Sequence, residues 1–257
     1  MLRQIMWRAA ALTALAGLAA CDKGPEIVKA TWASKPTAAE VAEVYPAFAR
    51  MARIPGKIEV RCNYDRQGVL SRCRRIGVAP AGLKFEEALK RLLPKYRVTP
   101  QTVDGITAPS EITFVISFNP SRPPAPYAGP PVTAAELAGV RRVVSVVSRY
   151  ESAMAQRAAS YTVDVDRMSV VSAMVDRAYK AEGAAVEAAL PLALIQATPA
   201  EDRAVLARGE SFRVYGRAEL EAVSPEYHAA MGRLAAHMRT EYCAAYTCDP
   251  TLPVEAK

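Results

Sequence analysis

Residues 119–131 read Asn-Pro-Ser-Arg-Pro-Pro-Ala-Pro-Tyr-Ala-Gly-Pro-Pro, and the six prolines among them prevent any helix from running through this stretch. Each proline lacks an amide hydrogen and holds φ at about −65°, so the run reads as a stiff, extended linker. Folding therefore has to be arranged on either side of it. From Trp32 to about Pro120 helix and strand signals mix, whereas beyond the prolines the composition turns alanine-rich and helical. The 257-residue chain thus divides into an α+β domain at 32–119, a linker at 120–131, an all-α helical domain at 132–249 and a tail at 250–257.

The first residues belong to neither domain. Arg3 and Arg8 give a positive start, Ala9 to Leu18 form an apolar stretch, and small residues lead into Leu18-Ala19-Ala20-Cys21. An apolar stretch of about ten residues is too short for a hydrocarbon core that needs roughly 20. Leu-Ala-Ala-Cys resembles the lipobox of bacterial lipoproteins, in which the cysteine thiol receives a diacylglycerol and becomes the mature N-terminus. That resemblance implies a signal peptide at 1–20, lipidation at Cys21, a tether at 21–31 and a periplasmic location on a membrane. Acyl chains worth about 0.8 kcal/mol per buried methylene make such an anchor effectively permanent. Asp22 resembles an inner-membrane retention signal and tilts the expectation toward that membrane. The competing reading is a soluble secreted protein with a chance cysteine. Losing Arg3 and Arg8 lowers the net charge from +7 to +5. A charge that modest and diffuse suits an anionic surface or acidic partner and does not argue for nucleic acid.

Beyond Cys21, Cys62, Cys73, Cys243 and Cys248 remain, an even set that reads as disulfides in an oxidising compartment. Three connectivities are open, and local spacing favours Cys62–Cys73 and Cys243–Cys248.

In the first half, Thr37-Ala38-Ala39-Glu40 is a capping-box pattern that starts a helix running toward Ala52, and Pro55-Gly56 breaks the chain. Ile58, Val60, Cys62 and Tyr64 alternate with Lys57, Glu59, Arg61 and Asn63, the pattern of a half-buried strand. Asp65-Arg66-Gln67-Gly68 is a turn, and a second strand runs from Val69 to Ile76. Folding this hairpin about Gln67-Gly68 sets Tyr64 opposite Ser71 and Cys62 opposite Cys73, within disulfide reach. Phe85 to Leu93 reads as a helix ended by Pro94, and Glu111 to Phe118 as a third strand. In that strand Ile112, Phe114, Ile116 and Phe118 share one face.

These residues, taken in order, resemble the C-terminal domain of the TonB energy-transducer family, in a variant with paired cysteines on its first hairpin. The resemblance is carried by Tyr45-Pro46, Gly56, the Asp65…Gly68 turn, Cys62 and Cys73, and Pro80-Ala81-Gly82. Phe85-Glu86-Glu87-Ala88-Leu89, Tyr96-Arg97-Val98-Thr99-Pro100 and Asp104-Gly105 complete it. It implies two helices on one face of a three-stranded antiparallel sheet. It also implies a binding mode, since such domains grip the periplasmic segment of outer-membrane transporters by adding it as a strand. An unpaired sheet edge supplies the backbone hydrogen bonds for this independently of any family. The candidate edge is the last strand, with Glu111, Thr113, Phe114, Val115 and Ser117 as candidate partner contacts. Family transducers carry a membrane-spanning helix and a long spacer, and this chain has neither before Trp32. Energy transduction is therefore not implied, whereas binding a polypeptide is.

In the second half, Thr133-Ala134-Ala135-Glu136 is another capping box, opening a helix with Val140, Val143, Val147, Tyr150 and Met154 on one face. One or two helices follow between Asp166 and Ala197, with Gly183 and Pro191 as candidate breaks. Thr198-Pro199-Ala200-Glu201 is expected to cap the next, and Ser224-Pro225 to start the last. There Tyr227, Met231, Leu234, Met238 and Tyr242 form a single stripe, the mark of core packing rather than of a cofactor wall. Gly209 and Gly216 point either to a close helix contact or to a break.

No nucleophile elbow, glycine-rich phosphate loop or paired-carboxylate arrangement stands out, so the chain is read as a non-enzymatic protein with no cofactor. A metal site would need His228 and His237, which lie nine residues apart and so on opposite faces of a helix. His237 and Glu241, at helical spacing, read as a surface contact. Arg61, Arg66, Arg72, Arg74 and Arg75 concentrate positive charge on the hairpin. They form either a solvated strand face or a contact for acidic headgroups, envelope glycans or an acidic partner. The expected partners are thus an envelope protein or transporter segment, and a membrane through the lipid. An alternative is a structural envelope factor that binds peptidoglycan or supports outer-membrane assembly.

Overall fold

The computed structural model describes residues 24–120, 122–144, 163–210, 213 and 215–248. It is an α+β fold with antiparallel sheets and a helical C-terminal part. In chain order the elements of the first half are β1 (Ile27–Val28), β2 (Thr31–Ser34), α1 (Ala38–Val44), α2 (Ala47–Met51), β3 (Gly56–Tyr64) and β4 (Leu70–Ala79). Then come α3 (Phe85–Leu92), β5 (Arg97–Thr99), β6 (Thr102–Val103), β7 (Ile106–Thr107) and β8 (Ser110–Phe118). The second half holds α4 (Ala134–Val144), α5 (Met168–Ala197), α6 (Arg203–Arg208), α7 (Arg217–Val223) and α8 (Pro225–Ala245). No helix among the described residues is long and apolar enough to cross a membrane.

The capping box at Thr37 forms as its residue types dictate: the Glu40 amide donates to Thr37 Oγ1 and the Thr37 amide to Glu40 Oε2. The single helix expected from there to Ala52 is two. Pro46 has no amide to continue the hydrogen-bond ladder and biases Tyr45 away from helical ψ, so the chain turns and restarts as α2.

The central sheet has the order β4-β3-β8, with both pairings antiparallel. Side chains along β3 alternate between buried and partly exposed for nine residues, as the sequence pattern requires. Tyr45, Phe85 and Phe118 pack together on the helix side, and the Tyr45 hydroxyl donates to the carbonyl of Ile54 at 2.5 Å. The hairpin register differs from the sequence expectation. Tyr64 opposes Leu70 rather than Ser71, and Asn63 opposes Ser71. The pairing then shifts by one before Arg61↔Arg74, where Arg72 adopts a positive φ of 47°. A β-bulge at Arg72 accounts for both facts: two residues of β4 face one of β3, so simple counting from the turn misses the register.

Ile27–Val28, expected within the tether, is a short strand paired with β6, and β2 pairs with β5. β1 thus starts six positions after Cys21, which itself lies outside the described residues.

The linker does not hold the two halves apart. The buried guanidinium of Arg203 donates to the Pro130 carbonyl at 3.1 Å and to the Tyr127 hydroxyl, fastening the segment to the helical half. One contiguous core runs through both halves, with Phe48 of α2 against Tyr242 of α8, ring centres 5.4 Å apart. The Asp164 amide donates to the Gly82 carbonyl at 3.2 Å, and Arg167 to the Ala81 carbonyl at 2.8 Å.

Within the helical half, α5 packs against α8 and α7, and α4 against α5 and α6. The Thr133 capping box is formed. The helix it opens is described only to Val144, so the expected positions Val147, Tyr150 and Met154 lie outside the described residues. α5 is a single helix of 30 residues that passes through Gly183 and Pro191, both buried. Packing against α8 and α7 offsets the hydrogen bond lost at the proline. Thr198 does not cap the next helix. It ends α5, donating from Oγ1 to the Leu194 carbonyl at 2.7 Å, and a short 3-10 turn intervenes before α6. Ser224 does cap α8, accepting from the Tyr227 amide, with Pro225 in the first turn. All five residues of the α8 stripe are buried. Gly209 and Gly216 sit at helix ends, so they are breaks rather than a contact face.

Candidate functional site

β3 lies between β4 and β8, so the central sheet has two outer strands. β4 is partly covered at its start: Val69 bridges Arg97, and the Val98 amide donates to the Gly68 carbonyl at 3.0 Å. β8 pairs with β3 along its whole length, and on its other side no backbone hydrogen bond occurs among the described residues. Alternate residues of the nine therefore turn their backbone N–H and C=O to a side left unpaired among the described residues.

Glu111, Thr113, Val115 and Ser117 point away from the helices and are exposed, Val115 to 47%. Phe114, grouped with them by sequence, belongs to the opposite face. Its ring centre lies 4.8 Å from that of Trp32 and 4.9 Å from that of Tyr96. Trp32 is carried in by β2. Its packing across Phe114 depends on the β2–β5 pairing, and no local pattern signals that. Lys35 lies over the Trp32 ring, 5.7 Å from its centre.

Cys62 and Cys73 form a disulfide, with S–S 2.06 Å and Cα–Cα 4.0 Å. Cys62 is fully buried beneath the sheet. Cys243 and Cys248 form the second, with Cα–Cα 5.2 Å, tying the end of α8 to the residues after it. The hairpin arginines do not make one patch. Arg61 and Arg74 oppose each other on the solvent face, and Arg61 Nε donates to Thr113 Oγ1 at 3.2 Å. Arg66 is exposed in the turn and Arg72 on the bulge. Arg75 is separated from them: strand alternation places it beside Val60 on the face turned toward α3, where it pairs with Glu86.

The two histidines lie in different clusters. His237 Nε2 is 3.0 Å from Glu241 Oε1, and Arg177 also pairs with Glu241. His237 and Glu241, with Glu182, Arg233 and Thr240, line an open cleft of about 380 Å³ between α5 and α8. Its charges are matched within the chain, Arg233 to Glu182 and Arg177 to Glu241. His228 belongs to a cluster that sequence reasoning did not find. Arg53, which has a φ of 51° after α2, donates to Glu221 of α7 at 2.8 Å and to the His228 carbonyl at 3.2 Å. Arg217 donates to the other Glu221 oxygen at 2.6 Å. Burial pushes the Glu221 carboxyl up, but the charges and hydrogen bonds of Arg217 and Arg53 outweigh it and hold the group below its ordinary range. Burial, and then the Arg53 charge, lower the His228 imidazole, against the pull of Glu221.

Compared with known protein families, with characterised proteins and with solved structures, the chain matches none.

Proposed function

We propose that this chain is a lipid-tethered protein of the bacterial envelope, facing the periplasm. A TonB-like sheet in it takes up an extended segment of a partner protein along β8. The observation that carries the reading is the edge of β8, unpaired among the described residues, where alternate backbone units of the nine-residue strand face outward beside exposed side chains. An incoming strand completes the ladder there, and its alternating side chains meet two different faces. On the solvent face, an acidic residue opposite Thr113 comes within reach of Arg61. On the helix face, an apolar residue meets half-buried Ile112 and Phe114. The Cys62–Cys73 bridge holds the hairpin behind this rim in place. The partner class suggested by the TonB resemblance is the periplasmic segment of an outer-membrane transporter, bound without energy transduction.

The test is photo-crosslinking in cells, with the photoreactive residue at Val115 or, as control, at Lys90 on α3. The reading expects a discrete envelope-protein adduct from position 115, lost on Thr113→Lys, and none from position 90. No adduct at 115, or the same adducts at both positions, would count against it. Co-sedimentation with cell-wall sacculi that Thr113→Lys leaves unchanged would instead favour a structural envelope role.

A further inference from the structure

β1, β6 and β7 form a separate small sheet in the order β1-β6-β7, each strand two residues long. Ile27, Val103 and Ile106 are cross-strand neighbours, so they share one face; Val28, Thr102 and Thr107 share the other. Ile27 is 59% exposed, Val28 56% and Ile106 72%. Seven large apolar side chains are markedly exposed among the described residues, and three of them lie on this flap. Nothing else gives it a core, and sheets this short are marginal in water unless one face is covered. Its tip is nonetheless well defined. Asp104 and Gly105 both have positive φ, the geometry of a two-residue hairpin turn. The Asp104 amide donates to the Glu26 carbonyl and the Glu26 amide to Asp104 Oδ1, each at 2.9 Å.

The chain itself says what lies next to this flap. Ile27 is six Cα–Cα steps along the chain from Cys21. A fully extended chain covers at most roughly 3.6 Å per residue, so Ile27 cannot lie more than about 22 Å from the cysteine. We propose that the β1–β6–β7 flap rests on the bilayer that holds the Cys21 lipid, with Ile27 and Ile106 at the boundary of headgroups and acyl chains. The inference rests on the lipid anchor proposed above and adds a second point of contact, which fixes how the β8 rim stands relative to the membrane. The short tether keeps the flap at high local concentration near the surface, so a contact too weak to recruit a free protein suffices here. The carboxylates of Glu26 and Asp104 keep the contact shallow. The contact itself is apolar, made by the exposed Ile27 and Ile106.

The experiment uses membrane-extracted full-length protein, its Cys21 lipid checked by intact mass, reconstituted in phosphatidylcholine vesicles brominated near the top of the acyl chains. Loss of residues 1–20 leaves Trp32 as the one native tryptophan. Ile106→Trp is compared with wild type and with Val165→Trp, whose native side chain is 80% exposed in the helical half. The expected result is at least twofold more quenching for Ile106→Trp than for either comparison, reduced by adding Ile27→Asp. Equal quenching at positions 106 and 165, or none above wild type, overturns the flap contact and leaves the anchor standing. A mass without lipid overturns the anchor and this inference together.

Discussion

Arg53 Nη2 donates to Glu221 Oε2 at 2.8 Å, an ion pair that joins the turn after α2 to α7 across the boundary between the two halves. Only 17% of the arginine side chain and 10% of the glutamate remain exposed. Removing one partner of such a pair leaves the other charge buried without compensation. Glu221→Gln is expected to destabilise the whole chain by about 2–3 kcal/mol, because Arg53 and Arg217 would then face each other unneutralised. Urea unfolding followed by both circular dichroism and Trp32 fluorescence checks this. Coincident transitions are expected, since one core runs through both halves.

The same cluster gives the stability a pH dependence of definite sign. The lowered His228 means that, below its ordinary value of 6.5, the unfolded chain binds more protons than the fold. This contribution is present above about pH 6.5 and is lost as pH falls through the folded value. Glu221 is also lowered, so its contribution is present above its ordinary 4.5 and is lost below. Glu40, held at about 2 by Lys95 and by its capping hydrogen bonds, acts in the same direction between 4.5 and about 2. The unfolding midpoint is therefore expected to drop as pH falls below about 6.5, and again as it falls below about 4.5. His228→Gln should flatten the first drop and spare the second. A first drop unchanged by that substitution would mean that another group is responsible.

What could be read in the sequence was local. Alternation along Ile58–Tyr64, the capping boxes at Thr37 and Thr133 and the stripe from Tyr227 to Tyr242 each depend on a few neighbouring residues, and each took the expected form. What depends on distant partners could not be read. Arg53 gives no sign in its own neighbourhood that Glu221 will meet it, and the bulge at Arg72 follows no residue signature that counting from the turn detects. Thr198-Pro199-Ala200-Glu201 carries a capping pattern, but the Leu194 carbonyl and the Tyr215 hydroxyl occupy the threonine instead. The β8 rim was legible as a strand. Its openness depends on which elements pair elsewhere, since β5 could have covered it and instead lies beside β2 and Val69.

Gly68 is expected to tolerate no side chain. Its φ is +75°, and a Cβ there would come within 1.7 Å of the Val98 carbonyl oxygen. Backbone strain alone in this region costs about 1–2 kcal/mol for an L-residue, and the contact adds to it by forcing β5 away from the hairpin. Gly68→Ala should therefore lower stability by about 2 kcal/mol or more in urea unfolding. Hydrogen exchange should show the loss of protection centred on the Val98 amide, whose acceptor is the Gly68 carbonyl.

The two disulfides should differ in what they contribute. Cys62–Cys73 closes a separation of 11 residues and Cys243–Cys248 one of 5. Loop-closure entropy alone then assigns about 3 kcal/mol to the first and about 2 kcal/mol to the second. Location widens the gap. Cys62 is fully buried in the centre of the sheet, directly opposite Ile112 of β8, whereas Cys243 and Cys248 secure the last turn of α8. Cys62→Ala/Cys73→Ala is expected to lower the unfolding free energy by about 3 kcal/mol and to make the β8 amides exchange faster. Cys243→Ala/Cys248→Ala should cost less and confine faster exchange to the end of α8. Reductant applied to the wild type should reproduce the sum of the two effects, and it should leave the combined four-alanine variant unchanged.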